Sequence, residues 1–256
     1  MKAFELIRAL QEKYPETAAE EWDNVGLQVG NDRKEVEHVF LALDVTMDVI
    51  AQAVLCGADM LITHHPMIFT SVKKINNHSD LGRKIMTLIR EDIPYYAMHT
   101  NYDILGMADL SARYLNLKDT RVLAETGEGE GFGRVGLLPL PMSLRDCGEY
   151  VRQCLRLPDV RIYGDPDKEI RRAAVCTGSG KSFIDQAVSA AADVYVTGDI
   201  DYHTALDTMA RGLALIDAGH YGTEYIFTEA MKHYLNREFP HLEVTCEEIR
   251  HPFITV

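Results

Sequence analysis

The sequence contains little that would support a disulfide framework or a thiolate zinc site. It has five cysteines, an odd number, and no Cys-x-x-Cys pair, whereas such sites need paired cysteines at short spacings. An isolated cysteine more often behaves as a small apolar residue of the interior. The sequence therefore predicts a protein of a reducing compartment, and the cytoplasm is the simplest location.

Long apolar runs and an excess of positive charge are also lacking. No run reaches the roughly 18 residues that span a bilayer, and the N-terminus reads as an amphipathic helix rather than a signal peptide. The 26 basic residues are outnumbered by 39 acidic ones, for a net charge of -13. This charge argues against a nucleic-acid polymer or an anionic membrane as the main partner. It does not exclude a nucleotide, because a bound metal ion can invert the local field.

No complete phosphate-binding or nucleophile motif is present. The segment 178–182, Gly-Ser-Gly-Lys-Ser, ends like a P-loop, but Val175 stands where that motif needs its first glycine. We expect a turn whose amides cap the next helix and can still hold an anion. Gly-x-Ser-x-Gly and Cys-His signatures are also missing, which disfavours serine and cysteine hydrolases.

Apolar strand-like runs alternate with helix-like segments almost throughout, and this alternation predicts an α/β fold. The segment 125–133 carries four glycines and three glutamates, a composition typical of a boundary. We therefore predict a first α/β half over residues 1–124 and a second over 125–256. The chain can cross back, so that His220 and Glu224 join the first half.

A short internal repeat supports two related halves. Residues 50–63 and 184–197 align without gaps. The two segments have identical residues at seven positions, which are, in order, isoleucine, glutamine, alanine, valine, alanine, aspartate and threonine. Each copy lies within a strand-helix-strand pattern. Similar packing rules in unrelated crossovers are the alternative explanation, and duplication is modestly favoured.

Potential metal ligands follow several of the predicted strands. They are His64 and His65 after residues 60–62, His99 and Asp103 after 95–98, Asp199 and His203 after 194–197, and His220 and Glu224 after 213–216. In open α/β sheets ligands bind beyond the carboxyl ends of the strands. We therefore expect a metal site in a cleft between the two halves.

The adjacent pair His64 and His65 favours two ions over one. Side chains of neighbouring residues on an extended backbone diverge, so each imidazole is expected to bind its own ion. An ordinary pair, with one solvated and one buried histidine, is the alternative. The company of Asp103, His220 and Glu224 in similar contexts favours the metal interpretation.

Each of the remaining candidates has a structural alternative. Gly222 is expected to keep His220 in a loop and Glu224 in the first helical turn, where a glutamate can also act as a simple cap. Asp103 can belong to an Asx-turn. His99 and His203 can orient ligands or transfer protons.

The sequence resembles the GTP cyclohydrolase I type 2 homologue family, also called NGG-interacting-factor-like. The resemblance rests on segments in the order 21–30 (Glu-Trp-Asp-Asn-Val-Gly-Leu-Gln-Val-Gly), 43–46, 63–66 (Thr-His-His-Pro), 99–103 (His-Thr-Asn-Tyr-Asp), 198–203 and 219–224. It implies an α/β fold, a dinuclear metal centre and a toroidal homohexamer. The metal ligands that it implies are His64, His65, Asp103, His220 and Glu224. Lys181 departs from the small residue expected there and puts a positive charge near the site.

These features lead to a functional hypothesis with two alternatives. The hypothesis is a metal-dependent hydrolase with two divalent ions, acting on a small nucleotide-like substrate, with His99 or His203 as general acid or base. Mixed nitrogen and oxygen ligands fit zinc, iron or manganese equally. The main alternative is a non-enzymatic ring-shaped scaffold, metal carrier or regulatory protein, and a small-molecule-binding protein without chemistry is the other.

Overall fold

The computed structural model describes residues 1–127, 129–251 and 253–254, and it is a mixed α/β protein with two sheets. The predicted fold class is thereby confirmed. The chain divides into two compact units. Unit 1 comprises residues 1–102 and 227–249, and unit 2 comprises residues 103–226 and 250–256. Among the described residues, no helix combines the length and apolarity that crossing a bilayer demands.

Unit 1 is built around a five-stranded sheet with the order β1-β4-β3-β2-β11. Its elements before the chain enters unit 2 are α1 (Ala3–Lys13), a 3-10 turn (Glu16–Ala18), β1 (Gly26–Val29), β2 (His38–Ala42), α2 (Met47–Leu55), β3 (Met60–Thr63), α3 (Asp80–Arg90), β4 (Tyr95–Ala97) and the short α4 (Thr100–Tyr102). After the chain returns, unit 1 also contains α10 (Ile226–Glu238), except for Ile226, and β11 (Glu243–Cys246). Strand β1 is antiparallel to β4, and the other pairs are parallel.

Unit 2 contains a six-stranded sheet with the order β5-β6-β8-β9-β10-β7. Its elements are a π-helical turn (Asp103–Met107), α5 (Ala108–Tyr114), β5 (Lys118–Gly127), β6 (Glu130–Ser143), α6 (Leu144–Cys154), β7 (Arg161–Tyr163), β8 (Glu169–Val175), a 3-10 turn (Gly180–Phe183), α7 (Ile184–Ser189), β9 (Val194–Thr197), α8 (Tyr202–Ala210), β10 (Ala214–Asp217) and α9 (His220–Glu224). Strands β8, β9 and β10 are parallel, and β7 closes the edge in the antiparallel sense.

The two sheets share a topology that matches the internal repeat. In each, an antiparallel edge strand is followed by three parallel strands, in the order β1-β4-β3-β2 and β7-β10-β9-β8. Equivalent aspartates bind equivalent backbone amides: Asp59 accepts hydrogen bonds from residues 37 and 38, and Asp193 from residues 171 and 172. These shared details favour duplication over chance similarity.

The predicted boundary at residues 124 and 125 differs from this division. The glycine-rich segment 125–133 belongs to the β5–β6 hairpin of unit 2, in which Glu125 pairs with Gly131. Residue 128 of that segment lies outside the described residues. The chain does return to unit 1 at Phe227, but His220 and Glu224 remain in unit 2.

Each unit has its own core beneath the strands. In unit 1 the side chains of Phe40, Leu61 and Tyr95 pack with residues of α2 and α3. In unit 2 Tyr195 and Leu215 pack with residues of α7 and α8. Strands β2, β3, β9 and β10 are buried at every residue, as expected for parallel strands covered on both faces. Rigid strands of this kind hold the loops at their carboxyl ends in place.

Candidate metal centre

Unit 1 brings three histidines together beyond β3 and β4. The His64 and His65 rings lie 5.0 Å apart, and the His99 ring lies 5.3 Å from His64 and 5.6 Å from His65. One nitrogen from each histidine falls within 4.8 Å of the others. The expected divergence of His64 and His65 is therefore wrong: the chain bends after β3, and the two side chains converge.

Each of these histidines is held at Nδ1 by an oxygen acceptor. His64 Nδ1 donates to the Met98 carbonyl at 2.8 Å, and His65 Nδ1 lies 2.8 Å from Asp44 Oδ1. A histidine whose Nδ1–H is fixed in this way presents Nε2 as the ligating nitrogen. His64 is fully buried, so its orientation is set by packing as well as by this hydrogen bond.

His99 is paired with Asp23, a residue for which no role is predicted from the sequence. His99 Nδ1 lies 2.9 Å from Asp23 Oδ1, and the Asp23 side chain has no exposed surface. Burial by itself raises the pKa of Asp23, but hydrogen bonds from His99 and Thr100 outweigh it and lower the pKa to about 2. Asp23 is therefore ionised at neutral pH and fixes the tautomer of His99. Its place in the 21–30 motif is the available sequence signal.

In unit 2 the candidate ligands lie in two short helical turns. His220 opens α9 and Glu224 closes it, with His220 Nε2 3.0 Å from Glu224 Oε2. The expectation that His220 lies in a loop is wrong. Gly219, at φ +74°, is the N-cap of the helix, which begins at His220, and Gly222 fits against Leu157 without ending it. Residues four apart in a helix share a face.

Asp103 is the first residue of the π-helical turn, a feature often found at functional sites. A carboxylate oxygen of Asp103 and one of Glu224 lie within 4.8 Å of each other, and Glu224 is buried. Burial, followed by the Asp103 charge and then that of Glu224, raises the pKa of the Cys176 thiol. Two carboxylates at this distance repel each other unless a cation or proton lies with them.

His220 repeats the arrangement seen at His65. Its Nδ1 lies 2.8 Å from Asp199 Oδ2, and Asp199 adopts a left-handed backbone conformation, φ +57°. Burial tends to lower the pKa of His220, but hydrogen bonds and charge from Glu224 and Asp199 raise it to about 9. A left-handed backbone at a residue other than glycine, as at Asp199, is strained and often occurs at functional sites.

Gly178 makes room for this group. Its φ is +64°, and a Cβ at this position would overlap Glu224 Oε1 and lie 3.3 Å from His220 Nε2. Its amide donates to Thr223 Oγ1 at 2.8 Å. Lys181, in the same Gly-Ser-Gly-Lys-Ser segment, is half exposed and lies 3.9 Å from Asp201. The absence of a side chain at Gly178, the first glycine of this segment, therefore leaves room for the Glu224 carboxylate.

The remaining candidate, His203, lies on the exposed start of α8. Its ring contacts Tyr202 with centroids 5.3 Å apart.

A cavity of about 300 Å³ lies beside His220 within unit 2 and is lined by Asp199, Arg161 and Tyr221 among others. This volume is within the range that small-molecule sites occupy.

The sequence and the fold both match one known family. The chain belongs to the Duf34/NIF3 (NGG1p interacting factor 3) family. The family model matches residues 1–252. Proteins of Streptococcus pneumoniae and Clostridium acetobutylicum, both named GTP cyclohydrolase 1 type 2 homolog, are 38% and 36% identical. The first alignment covers 90% of this chain and 88% of the relative, and the second 88% and 86%.

Solved structures of the family agree with this assignment. The crystal structure of a Bacillus cereus protein related to NIF3 superposes with a TM-score of 0.93 at 28% identity. That match covers 100% of this chain and 99% of the other. The resemblance inferred from the sequence is confirmed, and the His/Glu groups of this NIF3-family chain are suited to holding a metal ion.

Proposed function

We propose that this NIF3-family protein binds two divalent metal ions through His64, His65, Asp103, His220 and Glu224. The observation that carries the proposal is the pairing of each of these histidines at Nδ1 with an oxygen acceptor. Imidazoles held in this way are typical of metal ligands. The close carboxylates Asp103 and Glu224 supply the negative charge that a divalent cation balances.

The donor set fits zinc, iron or manganese. Three imidazole nitrogens and two carboxylates form a mixed nitrogen and oxygen set, which each of these metals accepts. Divalent ions in such a set lower the pKa of bound water and stabilise negative charge that develops on a substrate.

We further propose that the protein is a hydrolase of a small nucleotide-like substrate. The names of the relatives, GTP cyclohydrolase 1 type 2 homolog, support a nucleotide, and the cavity beside His220 has room for part of a small molecule. The Asp23–His99 pair suits general acid–base catalysis, because ionised Asp23 holds Nδ1–H and leaves proton exchange to Nε2. His203 is the second candidate for this role.

Elemental analysis of gently purified protein tests the metal proposal. We expect about two divalent ions per chain in the wild type and a loss of bound metal in His65→Ala. His78→Ala is the matched control, because His78 is an exposed histidine near the far end of the same β3–α3 connection, and it should retain the wild-type content. A wild-type content near zero after reconstitution with each metal would contradict the proposal.

A substrate panel tests the hydrolase proposal separately. Metal-loaded protein is incubated with nucleoside triphosphates and phosphoesters, and products are separated by chromatography. We expect turnover that His99→Ala reduces at least 100-fold while its metal content persists. Metal binding without any turnover would favour a carrier or scaffold.

A homohexamer is proposed as the assembly, and sedimentation should give six times the chain mass of 28.8 kDa.

A further inference from the structure

Two exposed aromatic rings flank His99. Trp22, the single tryptophan of the chain, is 61% exposed, and Phe69 is 50% exposed. The centroids of both rings lie 5.9 Å from that of His99, at interplanar angles of 78° and 82°. Aromatic side chains normally bury much of their surface. Two that stay exposed beside a catalytic candidate need a separate explanation.

Trp22 lies in a turn that hydrogen bonds hold in place on both sides of the residue. The Asp23 amide donates to the Glu20 carbonyl at 2.9 Å, and the Glu20 amide donates to Thr100 Oγ1 at 2.9 Å. Asp23 Oδ2 in turn accepts from the amide and the hydroxyl of Thr100. The exposure of Trp22 is therefore built into a fixed turn rather than left at the end of a loose loop.

The position of Phe69 is fixed by the backbone hydrogen bonds of the preceding residue, Ile68. The Ile68 amide donates to Gln28 Oε1 at 2.9 Å, and the Ile68 carbonyl accepts from Asn24 Nδ2 at 2.5 Å and from Gln28 Nε2 at 3.2 Å. Both backbone groups of Ile68 are thus bound by side chains of the segment that follows Trp22. The same short segment positions both rings. Rings held in advance lose little entropy when a ligand binds.

We infer that Trp22 and Phe69 form an aromatic platform that binds the planar heteroaromatic ring of the substrate next to His99. The inference rests on the proposed function and specifies which part of the substrate lies there. Stacking on aromatic side chains recognises a nucleobase by its face. The buried charge beside the platform is the Asp23 carboxylate, which favours the uncharged ring over a phosphate group.

The single tryptophan gives a direct measurement. Guanosine and ribose 5-phosphate are titrated separately against metal-loaded protein while the emission of Trp22 is recorded. We expect guanosine to quench the emission in a saturable way and ribose 5-phosphate to leave it unchanged. Phe69→Ala should weaken guanosine binding about ten-fold, within the range for loss of a stacking side chain. Phe4→Ala, at a half-exposed phenylalanine of α1, should bind as the wild type does.

Other results would overturn the inference. They are the absence of quenching by guanosine, equal quenching by ribose 5-phosphate, or unchanged affinity in Phe69→Ala. Calorimetry and sedimentation of Trp22→Ala add a further test. Dissociation of an assembly with unaltered guanosine affinity would mean that a second copy of the chain covers the platform.

The experiment is separable from the test of the metal centre. Guanosine quenching is repeated in His220→Ala, which removes a proposed metal ligand from unit 2. Quenching that persists there, with metal lost, supports the platform independently of catalysis. Normal metal content and turnover in the wild type without guanosine quenching would refute the platform alone.

Discussion

At the scale of single residues, the site is defined as much by the partners of the histidines as by the histidines themselves. Asp44 and Asp199 each bind the Nδ1 of a histidine 21 positions further along the chain. In both pairs the aspartate follows one strand and the histidine follows the next. The carboxylate fixes the rotation of the ring. These aspartates are therefore expected to affect metal affinity without binding the ion.

Replacing Asp199 by asparagine should weaken metal binding about 10- to 100-fold, because the charged acceptor of His220 Nδ1 is lost. Asparagine tolerates the left-handed backbone at this position, so the fold should persist. Asp119→Asn is the matched control, since Asp119 is exposed and has φ +51°. Competition with a chromogenic chelator measures the affinity. Equal affinity in both variants would refute an orienting role for Asp199.

Glu247, which is not one of the proposed metal ligands, offers a pH-dependent prediction. Burial raises its pKa to about 7, although the Leu43 amide donates to it. The folded state therefore holds this proton more tightly than the unfolded state. Between pH 4.5 and 7 the contribution of Glu247 to stability falls as pH rises. Glu247→Gln keeps an oxygen acceptor but carries no charge.

The Gln variant should be more stable than the wild type by about 1–2 kcal/mol at pH 8, a value reduced because the carboxylate is partly exposed. Below about pH 5 this advantage should disappear. Urea unfolding at a series of pH values measures the difference. A difference that does not change between about pH 5 and pH 8 would show that Glu247 has an ordinary pKa in the folded state.

At the scale of elements, the close approach of Gly178 to α9 leaves no room for a side chain. An alanine at Gly178 must displace Glu224 or the turn itself. Gly178→Ala should therefore lose roughly ten-fold or more in metal affinity. Gly212→Ala is the control, because Gly212 has φ +83° and open space where a Cβ would lie. Both variants carry about 1 kcal/mol of backbone strain.

Isothermal titration with the metal ion separates the two effects. Both variants should be slightly destabilised, but only Gly178→Ala should bind metal poorly. Similar metal affinities in the two would mean that Glu224 is not held where the proposal needs it.

The elements also show where sequence reasoning succeeds. Buried parallel strands such as β3 and β9 have continuous apolar runs, and this pattern alone identifies the polar residues that follow them. The predicted start of α9 is wrong, because the prediction treats Gly222 as a break. A glycine that packs against Leu157 has the same sequence signature as one that ends a helix. Local sequence does not distinguish these two cases.

At the scale of the whole molecule, the pairing of distant segments is what the sequence leaves open. Asp23 and His99 are 76 residues apart. They meet because β1 pairs with β4, out of sequence order, at the edge of the unit 1 sheet. Nothing near either residue specifies that partner. The repeat between residues 50–63 and 184–197 is visible because it preserves local pattern, whereas this pairing depends on the order of strands in the sheet.

Metal removal should lower the stability of the entire chain, because ions that bind only the folded state stabilise it by mass action. At a free metal concentration about 100 times the dissociation constant the gain is about 2.7 kcal/mol per site. For a protein of this size that corresponds to a rise in melting temperature of about 5–10 °C for each occupied site. Calorimetry with and without a chelator measures the shift. His220→Ala should melt at the same temperature in both conditions, and a chelator effect of equal size in this variant would place the stabilising ion elsewhere.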